Sequence, residues 1–351
     1  MAMSALVRSR RTVLKAAVKF AGFAAASRML PAGSAAAQAP AQSAGASKKT
    51  EEKGSALILL GTQGGPGVTL TRSQTAQALV IGDRQYLIDC GYGTVRALVQ
   101  AGLGFNSIAN VFMTHLHNDH TSDLAALLSL KWTSGRAAET NVHGPFGTAA
   151  MVRGAIQFCN ADTEIRIVNE GRTVKPESLF HGKDLDVSGI TEVFRDERVV
   201  VKAVQNTHFP ERALKRMPHR SLAYRFEMAD RSIVFSGDTA YCSGLVELAR
   251  NADLFVCETI GVPQREMMEQ VAKDIAENRE SIARHVIETH STTEDVGRMA
   301  SEAKVKAVVL NHIVGGPGPE GTLESFESSL VDSVRKVFSG PVTVGRDQMQ
   351  L

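Results

Sequence analysis

The heptapeptide THLHNDH, Thr114 to His120, packs three histidines and one aspartate into seven residues directly after the apolar run IANVFM. Titratable groups crowded this tightly repel or desolvate one another unless something cationic holds them, so a metal is the first candidate. The rest of the chain repeats the arrangement. Apolar runs of strand length, rich in β-branched residues, lead to His208 (VVVKAVQNT), Asp238 (RSIVFSG), Glu258 (LFVC) and His312 (KAVVLN). If those strands lie side by side, their carboxyl ends meet at one rim, where open sheets place their sites.

Histidine brings neutral nitrogen donors, and aspartate brings charge that offsets a dication. In HxHxDH the first two histidines, two residues apart at a strand end, reach one ion, while Asp119 and His120 on the following turn face a second. Five or more donors exceed the four of a tetrahedral zinc. Two ions sharing a carboxylate would use them all.

THLHNDH, SGDT and the ordered later histidines resemble the metallo-β-lactamase-fold superfamily. The match continues through LILLGTQGGPG, LIDCGYGT, HGPFGT, VCET, HST and VVLNHI, essentially all of Ser55 to Leu351. Within it the chain most resembles the ribonuclease Z-like branch and related arylsulfatase-like exported hydrolases. The resemblance implies an α/β fold, the four-layer αββα sandwich. It implies His115, His117 and His208 around one metal, Asp119, His120 and His312 around the other, and Asp238 bridging. Two Zn2+ are expected, with Mn2+ or Fe2+ able to use the same donors. A water between ions roughly 3.5–4 Å apart falls toward a neutral pKa, which makes a bridging hydroxide the expected nucleophile.

The catalytic residues so implied are Asp119, Glu258 and His290. Glu258 in VCET stands where the ribonuclease Z branch has the glutamate of a HEAT-like motif, supporting a histidine in HST, here His290, that donates a proton to the leaving oxygen. Two positions depart from that pattern: Cys257 replaces the first histidine of the HEAT-like motif, and Tyr92 stands where ribonuclease Z usually has glutamate. They bear on the substrate rather than on the metals. Structural readings stand beside these. SGDT is good turn chemistry, His312 suits a buried strand, and THST suits a helix cap through Ser291 or Thr292. His143, His181, His219 and His285 lack partners in sequence and receive no role.

Residues 1–37 read as a twin-arginine signal: SRRTVLK, then the weakly apolar AAVKFAGFAAA, then GSAAAQA with its A-x-A choices. The expectation is export by the twin-arginine machinery to the periplasm, without a stable membrane anchor, because Lys19 and Arg28 interrupt a stretch too short to span. Residues 38–54 (APAQSAGASKKTEEKG after Gln38) have nothing to bury and read as a disordered linker; residues 55–351 form the hydrolase domain. Subtracting the six basic residues of the leader from the formal +2 of the chain leaves −4. Four cysteines without a CxxC argue against a zinc knuckle or thioredoxin-type site, and Cys90 reads as a buried thiol.

These features together predict an exported dinuclear hydrolase of small phosphodiester or aryl sulfate esters. No nucleic acid is expected as a partner: the mature charge is acidic, and the 30 residues from His208 to Asp238 are taken up by a hairpin pattern, leaving no room for the arm with which ribonuclease Z grips tRNA. A homodimer is left open. The rivals are a lactonase or β-lactamase-type hydrolase, a metal-bound but inert binding protein, and a mononuclear iron dioxygenase using His115, His117, His208 and Asp238.

Overall fold

The apolar runs fold into two sheets. In the first, β1 (Ala56–Gly61), β2 (Ala76–Ile81), β3 (Arg84–Ile88), β4 (Asn110–Phe112), β5 (Thr140–Gly144) and β6 (Phe180–Asp184) are hydrogen-bonded in chain order. So are the strands of the second: β7 (Thr191–Arg195), β8 (Val199–Gln205), β9 (Leu222–Met228), β10 (Ser232–Phe235), β11 (Leu254–Ile260), β12 (Val308–Val314) and β13 (Val342–Val344). Each sheet starts with antiparallel neighbours and finishes with parallel ones. Parallel neighbours need a crossover, commonly a helix, and the crossovers here carry helices such as Leu124–Thr133, Thr148–Phe158, Ser243–Leu248 and Thr293–Ala303.

This computed structural model describes residues 54–135, 138–261, 284–317 and 321–351. The expected leader, the linker up to residue 53, and Met267 and Met268 with the helical pattern up to residue 283 lie outside the described residues. All described residues belong to one unit, Thr50–Leu351. Among them, no helix is long and apolar enough to cross a membrane.

Strand side chains alternate between faces, and the alternation builds three cores. Tyr86, Ile88, Phe112, Val201, Tyr224, Phe226 and Phe235 pack between the sheets. Leu87, Val111, Met113 and Val142 turn the other way onto Leu98, Leu127, Trp132 and Val152. Phe255, Cys257 and Leu310 meet Leu245, Val296, Met299 and Leu330 on the outer face of the second sheet. Helices therefore cover both outer faces of a sheet pair, the αββα layering expected. Strands buried on both faces read as continuous apolar runs, which is why most of them could be seen in the sequence. The less apolar segments TNVHG, FHGKD and TEVFR and the three-residue VTV are also strands (β5, β6, β7, β13), as pairing rather than composition decides.

One feature of the strands departs from expectation. Glu258 and His312 do not follow β11 and β12 but lie within them. The pairing slips there: Glu258 opposes Asn311 and Thr259 opposes Ile313, so His312 is an extra residue, with φ of 42°. This is a β-bulge. Val308 and Leu310 face the outer helices, as does Ile313; without the bulge, alternation would send His312 to that apolar face.

Lys131, fully buried, was not singled out by its position in LLSLKW. Its Nζ donates to the carbonyls of Phe105, Asn106 and Ile108 at 3.1, 3.1 and 2.6 Å, tying the helix Leu124–Thr133 to the turn that enters β4. Burial pushes its pKa down to about 8. Replacing it with methionine orphans three acceptors, so Lys131→Met should cost about 1–3 kcal/mol, read as a lower urea midpoint at unchanged m-value.

Candidate metal centre

The carboxyl ends of β3, β4, β8 and β10 and the middles of β11 and β12 converge between the sheets. After β4, His115 and His117 lie on the extended segment, and Asp119 and His120 on the one-turn helix Asn118–Thr121. His115 Nε2 and His208 Nε2 approach His117 Nδ1 at 3.0 and 3.1 Å. Nearby, His312 Nε2 lies 3.2 Å from both Asp119 Oδ2 and Asp238 Oδ1. His120 Nε2 is 3.2 Å from the same Asp238 oxygen and 3.7 Å from Asp119 Oδ2. The other oxygen of Asp238, Oδ2, faces His115 and His208 at 3.8 and 4.0 Å. Asp238 thus stands between two donor sets, His115–His117–His208 and Asp119–His120–His312, one oxygen toward each.

Asp238 is aimed by Gly237. The glycine has φ of 57°, and a Cβ on it would come within 2.7 Å of the Leu222 carbonyl, so only glycine allows this close turn.

The outer nitrogens of His208 and His120 are held from behind. His208 Nδ1 lies 3.2 Å from the Thr289 carbonyl, which can only accept, so Nδ1 carries the proton and Nε2 presents its lone pair. His120 Nδ1 lies 2.8 Å from Asp89 Oδ2, while the Thr114 backbone N–H donates to Asp89 Oδ1 at 2.8 Å. Such backing fixes the tautomer and the direction of a ligating histidine. Asp89 was not among the predicted residues; its signal was an acid ending an apolar strand, in LIDCG, as in SGD.

Buried lone pairs thus converge without enough protons to share. His120 Nε2 and Asp238 Oδ1 are buried with no hydrogen-bond partner, a costly state for a polar atom. Nitrogen and carboxylate donors in two compact sets fit a pair of divalent cations. Burial pushes His115 and His208 well below the ordinary histidine value, leaving neutral donors. For His120 and His312 burial acts in the same direction, but Asp238 and its neighbouring carboxylates outweigh it, raising His120 well above the ordinary value and His312 to about 10.

At the rim, both oxygens of Glu258 meet His290 Nδ1, at 3.1 and 3.0 Å. Glu258 Oε1 also accepts the N–H groups of Thr239 at 2.7 Å and Ser291 at 3.3 Å. Its ring partner His290 lies 5.1 Å from the His208 ring and 5.9 Å from that of His312. The helix cap expected in THST is present as well, but Thr292 makes it with Asp295, so His290 is left to the site. Cys257 points into the outer core instead, and Tyr92 is half exposed. All four cysteines are free, Cys90 buried as expected.

Among the histidines given no role, His143 stacks on Phe112 and His181 lies beside Glu139 on the surface. His285, in helical residues 284–289, is the one the sequence reading missed. Its ring lies 6.0 Å from His117 and 5.2 Å from His208. Nothing local marks it, because the neighbours that give it meaning are far away in the chain.

A family model described as Beta-lactamase superfamily domain matches residues 84–313. This chain belongs to that superfamily. It is a metal-dependent hydrolase of the metallo-β-lactamase fold. Among its relatives, ribonuclease Z of Mycolicibacterium gilvum (strain PYR-GCK) is 27% identical over 283 residues, 79% of this chain and 91% of the relative. Ribonuclease Z of Mycobacterium sp. (strain KMS) is 29% identical over 271 residues, 75% and 86% of the two chains. The fold matches the metallo-β-lactamase fold protein YhfI from Bacillus subtilis with a TM-score of 0.58 at 17% identity, covering 85% of this chain and 99% of the other. Human tRNase Z, short form, matches with a TM-score of 0.56 at 22% identity, covering 84% and 98%.

These relatives overturn one expectation. The absence of a nucleic-acid partner was argued from net charge and from a short interval between His208 and Asp238, yet the relatives that match along most of their length are named ribonucleases. Net charge averages over the whole surface and does not report what a local site contacts. The expected twin-arginine partner rests on residues 1–37, outside the described residues.

Asp238→Ala should lower bound metal by at least one ion per chain, measured by elemental analysis after gel filtration. Asp89→Asn should weaken uptake about 10–100-fold. Asp238 and the neighbouring carboxylates favour the protonated forms of His120 and His312, so cations compete with protons for these two rings; metal affinity should therefore rise from pH 6 to pH 8, and equilibrium dialysis with equal affinity at both would contradict this electrostatic picture.

Proposed function

We propose that the protein is a dinuclear, zinc-dependent phosphodiesterase acting on RNA, with small phosphodiesters as accessible substrates. The observation that carries this reading is Asp238, with one carboxylate oxygen toward each donor set beneath the Glu258–His290 pair. Zinc suits the histidine-rich donors. When bound, two such ions bring the pKa of water toward neutrality and offset charge developing on a phosphoryl group. The names of the ribonuclease Z relatives support RNA as the class of phosphodiester.

The chain's own groups do the rest. Asp89 and the Thr289 carbonyl hold ligand rings in position. Glu258 accepts the Nδ1 proton of His290 and orients the ring so that its second nitrogen can carry a proton to a leaving oxygen. Burial lowers the affinity of His290 for a proton, but Glu258 outweighs it and raises the pKa above the ordinary value, which keeps the acid form available. Asp119 lies against His312 and His120, and its role is that of a ligand, with any catalytic part exercised through the metal.

Asp119, His120 and His312 form a second complete donor set, which favours two ions over the single iron of the dioxygenase reading. Aryl sulfate, lactone and β-lactam hydrolysis are the competing activities. The leaderless protein, metal-loaded, should cleave bis(p-nitrophenyl) phosphate and short single-stranded RNA faster than p-nitrophenyl sulfate, a nitrophenyl lactone or nitrocefin. His290→Ala should retain its metal and lose about 10²–10⁴ in kcat on RNA, with a smaller loss on the nitrophenyl diester, whose leaving group needs little protonation. Turnover of sulfate alone, or one iron per chain with oxygen uptake, would sink the proposal.

A further inference from the structure

Next to the first donor set lies a cavity of about 420 Å³, the size of a small-ligand pocket. It shares His117 with that set. Among the described residues, Leu116, Phe209, Ala213 and Met217 give it apolar walls, and His219 and His285 contribute ring faces or edges. Phe209 joins it to the cluster, with its ring 4.9 Å from that of His208, 5.5 Å from His117 and 6.0 Å from His115. His219 extends the aromatic wall outward, its ring 5.9 Å from the half-exposed Phe146.

Charge is scarce here. Arg212 is the one lining residue with a permanent charge among the described residues, and it is engaged by Glu288 at 2.6 Å. That ion pair also ties the short helix Glu211–Leu214 to helical residues 284–289, which carry His285. Among the described residues the lining has no carboxylate to pair with a cationic group, and its one guanidinium is already paired. A planar uncharged ring suits it best, through edge and face contacts with Phe209 and the imidazoles.

Position decides which part of a substrate the ring belongs to. His290 is not among the lining residues, while the leaving oxygen must lie within reach of that group. In an in-line displacement the retained substituent projects sideways from the axis of attack. We infer that this cavity is the subsite for an aromatic ring on the retained side of the phosphodiester, a nucleobase or an aryl group, and that Ala213 and Met217 set its depth. The inference rests on the phosphodiesterase reading above.

Three p-nitrophenyl diesters with the same leaving group separate the two: methyl p-nitrophenyl phosphate, phenyl p-nitrophenyl phosphate and thymidine 5′-(p-nitrophenyl phosphate). The metal-loaded protein should show a KM about 10-fold lower for the ring-bearing esters than for the methyl ester. Ala213→Trp, which fills the cavity, should erase that difference by raising KM for the ring-bearing esters while leaving the methyl ester within about twofold. Met217→Ala, a milder change, should raise the same KM values about threefold, and retained metal content with unchanged methyl-ester turnover shows that either variant is folded. A lower KM for the thymidine ester than for the phenyl ester identifies a nucleobase as the occupant, and the reverse identifies an aryl group; both support the subsite. Equal KM values for all three esters, or variants that shift all three alike, overturn the subsite while the phosphodiesterase reading stands. No hydrolysis of any ester by the metal-loaded protein overturns both.

Discussion

Six imidazole and carboxylate groups and the aspartate between them, Asp238, converge on the same buried space, and that electrostatic conflict organises the molecule. Nitrogens of His115, His117 and His208 lie about 3 Å apart, while the outer nitrogens of His208 and His120 are committed to the Thr289 carbonyl and Asp89. They hold their places because two sheets and the helices outside them form three apolar cores around them. The free energy of burying those cores, roughly 25 cal/mol for each Å² of apolar surface, supports a cluster that would otherwise disperse.

Two residues that aim the donors have left-handed backbone, and at one of them that conformation is strained. His312 occupies a bulge at φ of 42°, and Asp89 ends its strand at φ of 55°. Aspartate tolerates such an angle, but histidine rarely adopts it, and at His312 it persists because the surrounding structure determines it. At His312 the cause is visible: Leu310 and Ile313 both anchor to the outer helices, and the residue inserted between their registers is turned inward. The strain converts a side chain that alternation would bury among aliphatic groups into a donor for the second set.

Glu258 links the two functions of the site. It meets His290 directly, receives two backbone N–H groups, and its Oε2 lies 3.8 Å from His312 Nδ1. The proton-bearing group at the rim and a donor of the second set are thereby referred to one buried carboxylate. Helical residues 284–289 bring His285 and the Thr289 carbonyl to the opposite donor set, and the Arg212–Glu288 ion pair fastens them to the pocket wall. The cavity, the two donor sets and the Glu258–His290 pair are consequently parts of one packed assembly.

The sequence by itself determined the donors that local chemistry marks. HxHxDH is crowded within seven residues, and His208, Asp238, Glu258 and His312 are polar residues in or at the ends of apolar strands; both signals are written in neighbouring residues. Most of the strands were legible as apolar runs, whereas the αββα layering came from the family resemblance and not from the pattern of any one segment. What only the tertiary structure decided depends on partners distant in the chain: Asp89 behind His120, the bulge that redirects His312, Lys131 among three carbonyls, His285 beside His208, and the cavity at Phe209. A residue's covalent neighbours report its propensity and pattern, whereas direction, burial and hydrogen-bond partner are set by whatever the fold brings opposite to it.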